Sequence, residues 1–142
     1  MISLASINDV DIIYNIGQNN LPIYYSLKEI RRFIKNPNYI VYVIYQFNTI
    51  VGYLIAQIFT THIHIMSFAI DQNARRIGYG TKLLNKLTDF AKNVIIKKLT
   101  LYVMCSNLPA IACYEKNGFI KDTLMPNYYG LGVDGWNMLK II

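Results

Sequence analysis

The spacing of apolar residues along the chain predicts an alternation of strands and helices. Alternating or continuous apolar runs rich in β-branched residues predict strands at 2–7, 39–47, 50–59, 62–70, 99–105, 119–125 and 136–142. Apolar residues recurring three and four positions apart, together with capping residues, predict helices at 9–19, 27–35, 81–94 and 108–116. No repeat, linker or low-complexity segment interrupts the 142 residues. We therefore expect one mixed α/β domain over residues 1–142, with a mostly antiparallel sheet.

Local start and stop signals support these boundaries. Ser26 and Glu29 have the spacing of a capping box, which starts the second helix. Asn107 can cap the last helix. Between the second and third strands, Asn48-Thr49 is a candidate two-residue hairpin. The second, third and fourth strands should therefore form an antiparallel meander.

A glycine-rich loop joins the fourth strand to the third helix. It passes through Arg75, Gly78 and Gly80 into a helix start, where unpaired backbone N–H groups and the helix dipole favour an anion. Glycine also allows the main chain to approach a phosphate closely. No lysine follows a glycine with Walker spacing, and Leu83 stands where a dinucleotide fingerprint needs its third glycine. The loop therefore predicts a phosphate site of another kind.

Composition narrows the class of protein. The net charge is +6, but the basic residues are scattered and never exceed pairs, which favours one anionic ligand over a nucleic-acid surface. Apolar residues make up 54% of the chain, yet no apolar run approaches the roughly 20 residues of a membrane span, and no signal peptide is visible. Cys105 and Cys113 have no partner cluster for zinc. We expect a cytoplasmic protein with reduced thiols, no metal, no membrane contact and no specific nucleic-acid partner.

Two motifs resemble those of a known family. The loop Arg75-x-x-Gly78-x-Gly80 is similar to the pyrophosphate loop of the GNAT acetyltransferases. The segment Asn107-x-x-Ala110-x-x-x-Tyr114-x-x-x-Gly118-Phe119 is similar to the helix that flanks the coenzyme A thiol in that family. The segments ARRIGYGTKLLN and SNLPAIACYEKNGF resemble N-terminal acetyltransferases, above all the catalytic subunit of N-terminal acetyltransferase E, and this resemblance covers nearly the whole chain. It implies the GNAT fold, a mostly antiparallel sheet of about six to seven strands flanked by about four helices.

The resemblance also implies an acetyl-CoA-dependent N-acetyltransferase and marks the positions that bind acetyl-CoA. In the family, the strand before the glycine loop lends main-chain groups to acetyl-CoA, and here that stretch is Phe68, Ala69 and Ile70. The positions that hold the pyrophosphate match Arg75, Arg76, Ile77, Gly78, Tyr79, Gly80 and Thr81. The positions that line the pantetheine and thiol match Asn107, Ala110 and Tyr114.

Candidate catalytic residues follow from the same resemblance. The family uses a tyrosine before the loop and a histidine on the strand after the helix to handle the amine proton through water. His64 and Tyr102 stand at these positions, so the two residue types are exchanged and either could be the base. With an unperturbed pKa near 6.5, His64 could accept the proton directly or through water. Tyr114 could protonate the departing thiolate, and a backbone N–H near Phe68 or Ala69 could polarise the thioester carbonyl.

The acceptor positions of the family match two apolar, aromatic loops and one strand residue. They are Leu21, Pro22, Ile23, Tyr25, Met66, Tyr128 and Tyr129. The resemblance implies peptide or protein N-termini as substrates, beginning with Met followed by an apolar residue, and an association with the ribosome or an auxiliary subunit. Two alternatives stay open. One is acetylation of lysine or a small amine, although the loops lack the carboxylates that such substrates usually require. The other is a non-catalytic acetyl-CoA-binding subunit, which the exchange of His64 and Tyr102 keeps open.

Overall fold

The computed structural model describes residues 1 to 142. The strands are β1 (Ile2–Leu4), β2 (Tyr39–Gln46), β3 (Thr49–Ile58), β4 (Ile63–Ile70), β5 (Lys98–Met104), β6 (Ile120–Met125) and β7 (Gly135–Ile141). The α-helices are α1 (Val10–Asn20), α2 (Leu27–Lys35), α3 (Tyr79–Asn93) and α4 (Leu108–Lys116), and short 3-10 helices lie at Ile7–Asp9 and Gln72–Ala74. None of these helices combines the length and the apolar character needed to cross a membrane. The predicted class, number and order of elements are confirmed.

Most predicted boundaries lie within two residues of the observed ones, but the end of the first strand and the position of the first hairpin are wrong. The first strand ends at Leu4 instead of continuing to residue 7, because Ile7–Asp9 forms a 3-10 helix. The hairpin between β2 and β3 turns at Phe47-Asn48, one position before the predicted Asn48-Thr49, since Gln46 pairs with Thr49. Phe47 has a φ of 57°, the left-handed conformation that such turns require but that aromatic residues rarely adopt.

The strands form one seven-stranded sheet in the order β1-β2-β3-β4-β5-β7-β6. Every neighbouring pair is antiparallel except β4 and β5, which run parallel. Their pairing is limited to Ile63 with Leu99, His64 with Thr100 and Ile65 with Leu101. Beyond these pairs the carboxyl-terminal halves of β4 and β5 leave an opening in the sheet. Since α3 follows β4 and α4 follows β5, both helices begin beside this opening.

Helices cover both faces of the sheet and form two apolar clusters. Alternate residues of β2 divide between the clusters, with Tyr42 in one and Val43 in the other, so the clusters lie on opposite faces. The first contains Leu83, Leu84 and Leu87 of α3 and Ile111 of α4, and we call this side the α3/α4 face. The second contains Ile13 and Ile16 of α1 and Ile30 and Phe33 of α2, and we call this side the α1/α2 face. Each fully buried aliphatic or Phe side chain stabilises the fold by roughly 1.5–3 kcal/mol.

A β-bulge in β4 changes which side chains reach each face. Neighbouring residues of β3 pair with Ile65 and Ser67, so Met66 is an extra residue in β4. Ile65 and Phe68 both pack against the α3/α4 cluster, although strict alternation would place them on opposite faces. Met66 packs against the α1/α2 cluster instead. The bulge thereby directs Met66 and Phe68 to opposite faces beside the opening.

Candidate active site

The loop between β4 and α3 presents unpaired backbone N–H groups beside the opening. Gly78 precedes α3 with a φ of 91°, which glycine adopts without strain. No side chain caps this helix start, so the N–H groups of Tyr79, Gly80 and Thr81 have no partner within the helix. A Cβ added at Gly78 would meet no atom within 4 Å, so the loop faces open space. With the helix dipole, this arrangement fits a pyrophosphate.

On the side that faces β5, the second half of β4 carries main-chain N–H and C=O groups that form no hydrogen bonds with a neighbouring strand. The Asp71 N–H donates to β3 at 2.7 Å, and because Ala69 lies two residues before it, the main-chain groups of Ala69 also face β3. Phe68 and Ile70 alternate with Ala69 and Asp71, so their main-chain N–H and C=O groups point to the opposite edge of β4. At that edge β5 no longer pairs with β4. Of the two N–H groups considered for the thioester carbonyl, the one of Phe68 is therefore directed into the opening.

The Arg75 side chain is bonded within the protein. Its Nε donates to the Ile70 carbonyl oxygen at 2.9 Å, and its Nη2 donates to Asn20 Oδ1 at 2.7 Å. These bonds fix the start of the loop relative to β4 and α1. The neighbouring Arg76 is exposed and has a φ of 65°, and Ile77 is also exposed. The loop therefore offers an anion its main chain and the Arg76 guanidinium.

Tyr114 and Phe68 lie on the α3/α4 side of the opening. Their ring centroids are 6.1 Å apart, and both side chains pack against the α3/α4 cluster. Burial, with Cys113 and Tyr129 nearby, raises the pKa of Tyr114 above its ordinary value. Its hydroxyl therefore stays protonated at physiological pH and can donate a hydrogen bond.

Two asparagines hold the helix ends around the opening. Asn107 caps α4, because its Oδ1 accepts from the Ala110 N–H at 3.3 Å. Asn117 Nδ2 donates to the Cys113 carbonyl oxygen at 2.8 Å and to Thr81 Oγ1 at 3.3 Å. The end of α4 is thereby linked to the first turn of α3. The helix that carries the predicted pantetheine-lining positions is thus fixed relative to α3 at its carboxyl-terminal end.

His64 and Tyr102 meet on the α1/α2 face, where the pairing of β4 and β5 ends. Their ring centroids are 4.4 Å apart. Thr100, the cross-strand partner of His64, has its Oγ1 2.7 Å from His64 Nδ1. Burial, with His62 nearby, lowers the pKa of His64 from 6.5 to about 4. The imidazole is therefore neutral at physiological pH, and it is a weaker base than an unperturbed histidine.

Two tyrosines extend this aromatic contact into the loop between β6 and β7. The ring centroid of Tyr128 lies 5.2 Å from that of Tyr102, and the Tyr129 centroid lies 4.9 Å from that of Tyr128. The loop is held by Asn127, whose N–H donates to Asp134 Oδ1 at 2.9 Å. Burial, with both other tyrosines and Cys105 nearby, raises the pKa of Tyr129 to about 12. The Tyr129 hydroxyl can therefore bind a peptide as a neutral donor or acceptor.

The remaining acceptor candidates lie on the α1 side of the same face. Leu21, Tyr25 and Met66 all pack against the α1/α2 cluster. Burial, followed by Glu29 and Tyr128, raises the pKa of Tyr25, so Tyr25 lies near the opposite loop. Pro22 and Ile23 are exposed. The structure thus brings Leu21, Tyr25, Met66 and Tyr128 to one face, places Tyr129 between Tyr128 and Tyr114, and leaves Pro22 and Ile23 on the loop surface.

A polar cleft of about 310 Å³ lies beside His64 and Tyr102. Lys98 and Asn137 contribute to its wall. Asn137 lies opposite Tyr102 on β7, and its Oδ1 is buried with no hydrogen-bond partner. An unsatisfied buried oxygen costs roughly 1–3 kcal/mol.

The substitution Asn137→Leu tests this cost. Because leucine needs no hydrogen bond, we expect the free energy of unfolding to rise by about 1 kcal/mol, measured by urea denaturation with an unchanged m-value. Asn137→Asp, which places a carboxylate at the same position, should lower the free energy of unfolding. A less stable leucine variant would show that the carboxamide finds a partner in solution.

Four polar residues of the site were missed from the sequence: Asn20, Thr100, Asn117 and Asn137. Most of their contacts join residues far apart in the chain, such as Asn20 with Arg75 and Asn117 with Thr81. No local pattern marks such pairs. Thr100 lies within the predicted strand 99–105, but its place opposite His64 depends on the register of β4 and β5, which the sequence does not give.

The cysteines and acidic residues form no alternative centre. No group of three or more His, Cys, Asp or Glu side chains is arranged to hold a metal ion. Cys105 and Cys113 are free thiols. Burial raises the pKa of Cys113, which makes its thiol a poorer nucleophile.

Comparison with known proteins agrees with this geometry. Residues 10–119 match the acetyltransferase (GNAT) family. An N-alpha-acetyltransferase from Sulfolobus acidocaldarius is 32% identical over 96% of this chain and 89% of its own length. The ribosomal-protein-S18-alanine N-acetyltransferase of Escherichia coli superposes with a TM-score of 0.90 at 27% identity, over 100% of this chain and 93% of its own. Ard1 from Thermoplasma volcanium gives a TM-score of 0.90 at 27% identity, over 100% and 97% of the two chains.

The family match spans most of the chain, and the first of these relatives is matched over nearly its whole length. The expected GNAT fold and the expected closeness to N-terminal acetyltransferases are both confirmed. The chain is an acetyltransferase that belongs to the GNAT family and lies close to its N-terminal acetyltransferases.

Proposed function

We propose that the protein transfers the acetyl group of acetyl-CoA to the α-amine of a peptide or protein N-terminus. The observation that carries the proposal is that the opening between β4 and β5 has different candidate residues on its two sides. Phe68 and Tyr114 lie on its α3/α4 side near the glycine loop, and His64 and Tyr102 lie on its α1/α2 side. A thioester and an amine can therefore reach the opening from opposite faces. The N-alpha-acetyltransferase relatives support an α-amine as the acceptor.

The residues of the opening fit a direct transfer. The amine nitrogen bonds to the thioester carbonyl carbon, the C–S bond breaks, and its electron pair leaves on the thiolate, which Tyr114 can stabilise by donating a hydrogen bond before the sulfur takes a proton from water. The Phe68 N–H can stabilise the charge that develops on the carbonyl oxygen. Since an α-amine has a pKa of about 7.7–8.0, about a tenth of it is already neutral at pH 7. Little general-base assistance is therefore needed before the attack.

His64 is better suited to deprotonate the nitrogen after the attack than to deprotonate the ammonium group before it. With a pKa of about 4, its imidazole is too weak a base to deprotonate an ammonium group efficiently. The nitrogen becomes far more acidic once it has bonded to the carbonyl carbon, and His64 can then take its proton directly or through a water. The Tyr102 ring, packed against His64, is in place to position that water. In this scheme a route for the amine proton is preserved, although His64 and Tyr102 are exchanged relative to the family.

The acceptor face favours an apolar N-terminus. Leu21, Tyr25 and Met66 form one side of it and Tyr128 the other. We therefore expect peptides that start with Met-Leu or Met-Val to be acetylated roughly tenfold or more faster than peptides that start with acidic residues, as apolar pockets discriminate by such factors. A peptide panel with radiolabelled acetyl-CoA measures these rates.

A matched peptide separates this function from side-chain acetylation. A Met-Leu peptide with a blocked N-terminus and an internal lysine should be acetylated at only a small fraction of the rate of the unblocked peptide, because under a thousandth of a lysine side chain is neutral at pH 7, given its pKa of about 10.4. Equal rates on the two peptides would contradict the proposal and favour a lysine acetyltransferase. No transfer to any peptide, with intact acetyl-CoA binding, would favour a non-catalytic subunit.

A further inference from the structure

One carboxamide links the loop that faces the coenzyme to the loop that faces the acceptor. Asn20 is the last residue of α1 and directly precedes the acceptor loop 21–26. Its Nδ2 donates to the Ile16 carbonyl oxygen at 2.8 Å and to Asp71 Oδ1 at 2.9 Å. Its Oδ1 accepts from Arg75 Nη2 at 2.7 Å. Since both donors and the oxygen have partners, the orientation of the carboxamide is determined.

The two long-range partners of Asn20 belong to the segment between β4 and α3, which faces the coenzyme. Asp71 directly follows β4, and Arg75 opens the glycine loop and also donates to the Ile70 carbonyl oxygen. The carboxamide stands between a carboxylate and a guanidinium, so both long-range bonds are charge-assisted and stronger than neutral ones. A movement of the glycine loop would therefore strain the end of α1, where the acceptor loop begins.

We propose that Asn20 is a positioning residue that couples coenzyme binding to the order of the acceptor loop. This inference rests on the function proposed above. A pyrophosphate on the main chain of residues 78–81 holds the glycine loop, and Arg75 and Asp71 with it. Through Asn20 the same restraint reaches residues 21–26. Acetyl-CoA binding then raises the affinity for the acceptor, and thermodynamic linkage requires the acceptor to raise the affinity for acetyl-CoA by the same factor.

Hydrogen exchange of backbone amides tests the coupling with coenzyme A as the only ligand. In the wild-type protein, saturating coenzyme A should slow exchange in residues 21–26 by roughly fivefold or more. In Asn20→Ala it should still slow exchange in the glycine loop but leave residues 21–26 within about twofold of their ligand-free rates. Asn19→Ala, the exposed neighbour of the same type, is the matched control and should behave like the wild type.

A second variant tests the same bond from its other end. Arg75→Lys keeps the positive charge but cannot form both the Nε and the Nη2 bond, so it should also lose the protection of residues 21–26. The double variant Asn20→Ala/Arg75→Lys should lose no more of the coenzyme-dependent protection of residues 21–26 than either single variant. In peptide acetylation at saturating acetyl-CoA, Asn20→Ala should raise KM for the peptide and leave kcat nearly unchanged, a separation that general destabilisation would not give.

Two results would overturn the coupling. One is equal protection of residues 21–26 by coenzyme A in Asn20→Ala and the wild type. The other is a wild-type protein that binds coenzyme A with no change in the exchange of this loop. Failure of the proposed function would look different, because coenzyme A would then protect the acceptor loop while no peptide N-terminus was acetylated.

Discussion

The substitution Gly80→Glu is expected to weaken acetyl-CoA binding by about a hundredfold or more. Gly80 contributes one of the unpaired N–H groups at the start of α3, and a Cβ there would lie 3.2 Å from the tip of the Phe68 ring. A glutamate side chain would therefore project toward the opening. Two like unit charges about 5 Å apart repel by roughly 3 kcal/mol at an effective dielectric of about 20. Titration calorimetry with coenzyme A measures the loss directly.

Gly80→Gln is the matched control for this charge effect. Glutamine has nearly the same size and shape as glutamate but no charge. Gly80→Gln should therefore lower the affinity for coenzyme A only through crowding of Phe68, by roughly tenfold or less. Both variants should unfold at similar temperatures, because they place the same bulk beside Phe68. Undiminished coenzyme affinity in Gly80→Glu would show that the phosphate site lies elsewhere.

Elements governed by local sequence could be predicted closely. Helix α2 begins where the capping box places it, and both capping bonds are present at 3.1 Å, from Ser26 N–H to Glu29 and from Glu29 N–H to Ser26 Oγ. The glycine spacing likewise identified the uncapped start of α3. These features involve residues within a few positions of each other, so a single sequence carries the information.

Features that depend on distant partners could not be predicted. The extra residue Met66 is defined only by its pairing with β3, yet it decides which face each later side chain of β4 reaches. The opening itself arises because β4 and β5 stop pairing after Ile65 and Leu101. Neither event leaves a mark in hydrophobic periodicity, since the residues on both sides of the bulge remain apolar.

The protonation state of His64 also depends on residues that are distant in the sequence. Its position was available from the family resemblance, whereas its pKa depends on burial by residues that come from other parts of the chain. Desolvation favours the neutral imidazole. The consequence is chemical, because a neutral, weakly basic His64 accepts a proton only from a strongly acidic group. In the proposed mechanism His64 therefore takes the proton from the nitrogen after the attack, and not from the incoming amine.

The substitution His64→Phe is expected to lower kcat by about 10² or more, the usual worth of general-base catalysis. Phenylalanine roughly keeps the ring volume and its packing against Tyr102, which lies 4.4 Å away between centroids, but it cannot accept a proton or bond to Thr100. KM for acetyl-CoA should change little, since the glycine loop and Phe68 lie on the other side of the opening. Steady-state kinetics with a Met-Leu peptide gives both constants. Tyr102→Phe, which removes only a hydroxyl, should cost less if Tyr102 merely positions a water.

The pH dependence of kcat/KM distinguishes the base from the substrate. Because the pKa of His64 is lowered to about 4, its active neutral form is present above that pH, and kcat/KM should fall on this account only as the pH drops through about 4. The rise that accompanies deprotonation of the α-amine, near pH 7.7–8.0, should persist in His64→Phe at a reduced level, while the inflection near pH 4 should vanish. Full activity with an unchanged profile in His64→Phe would place the base elsewhere and make Tyr102 or bulk water the better candidate. An inflection near 6.5 that disappears in His64→Phe would instead show that the imidazole is more hydrated in solution than its burial between β4 and β5 implies.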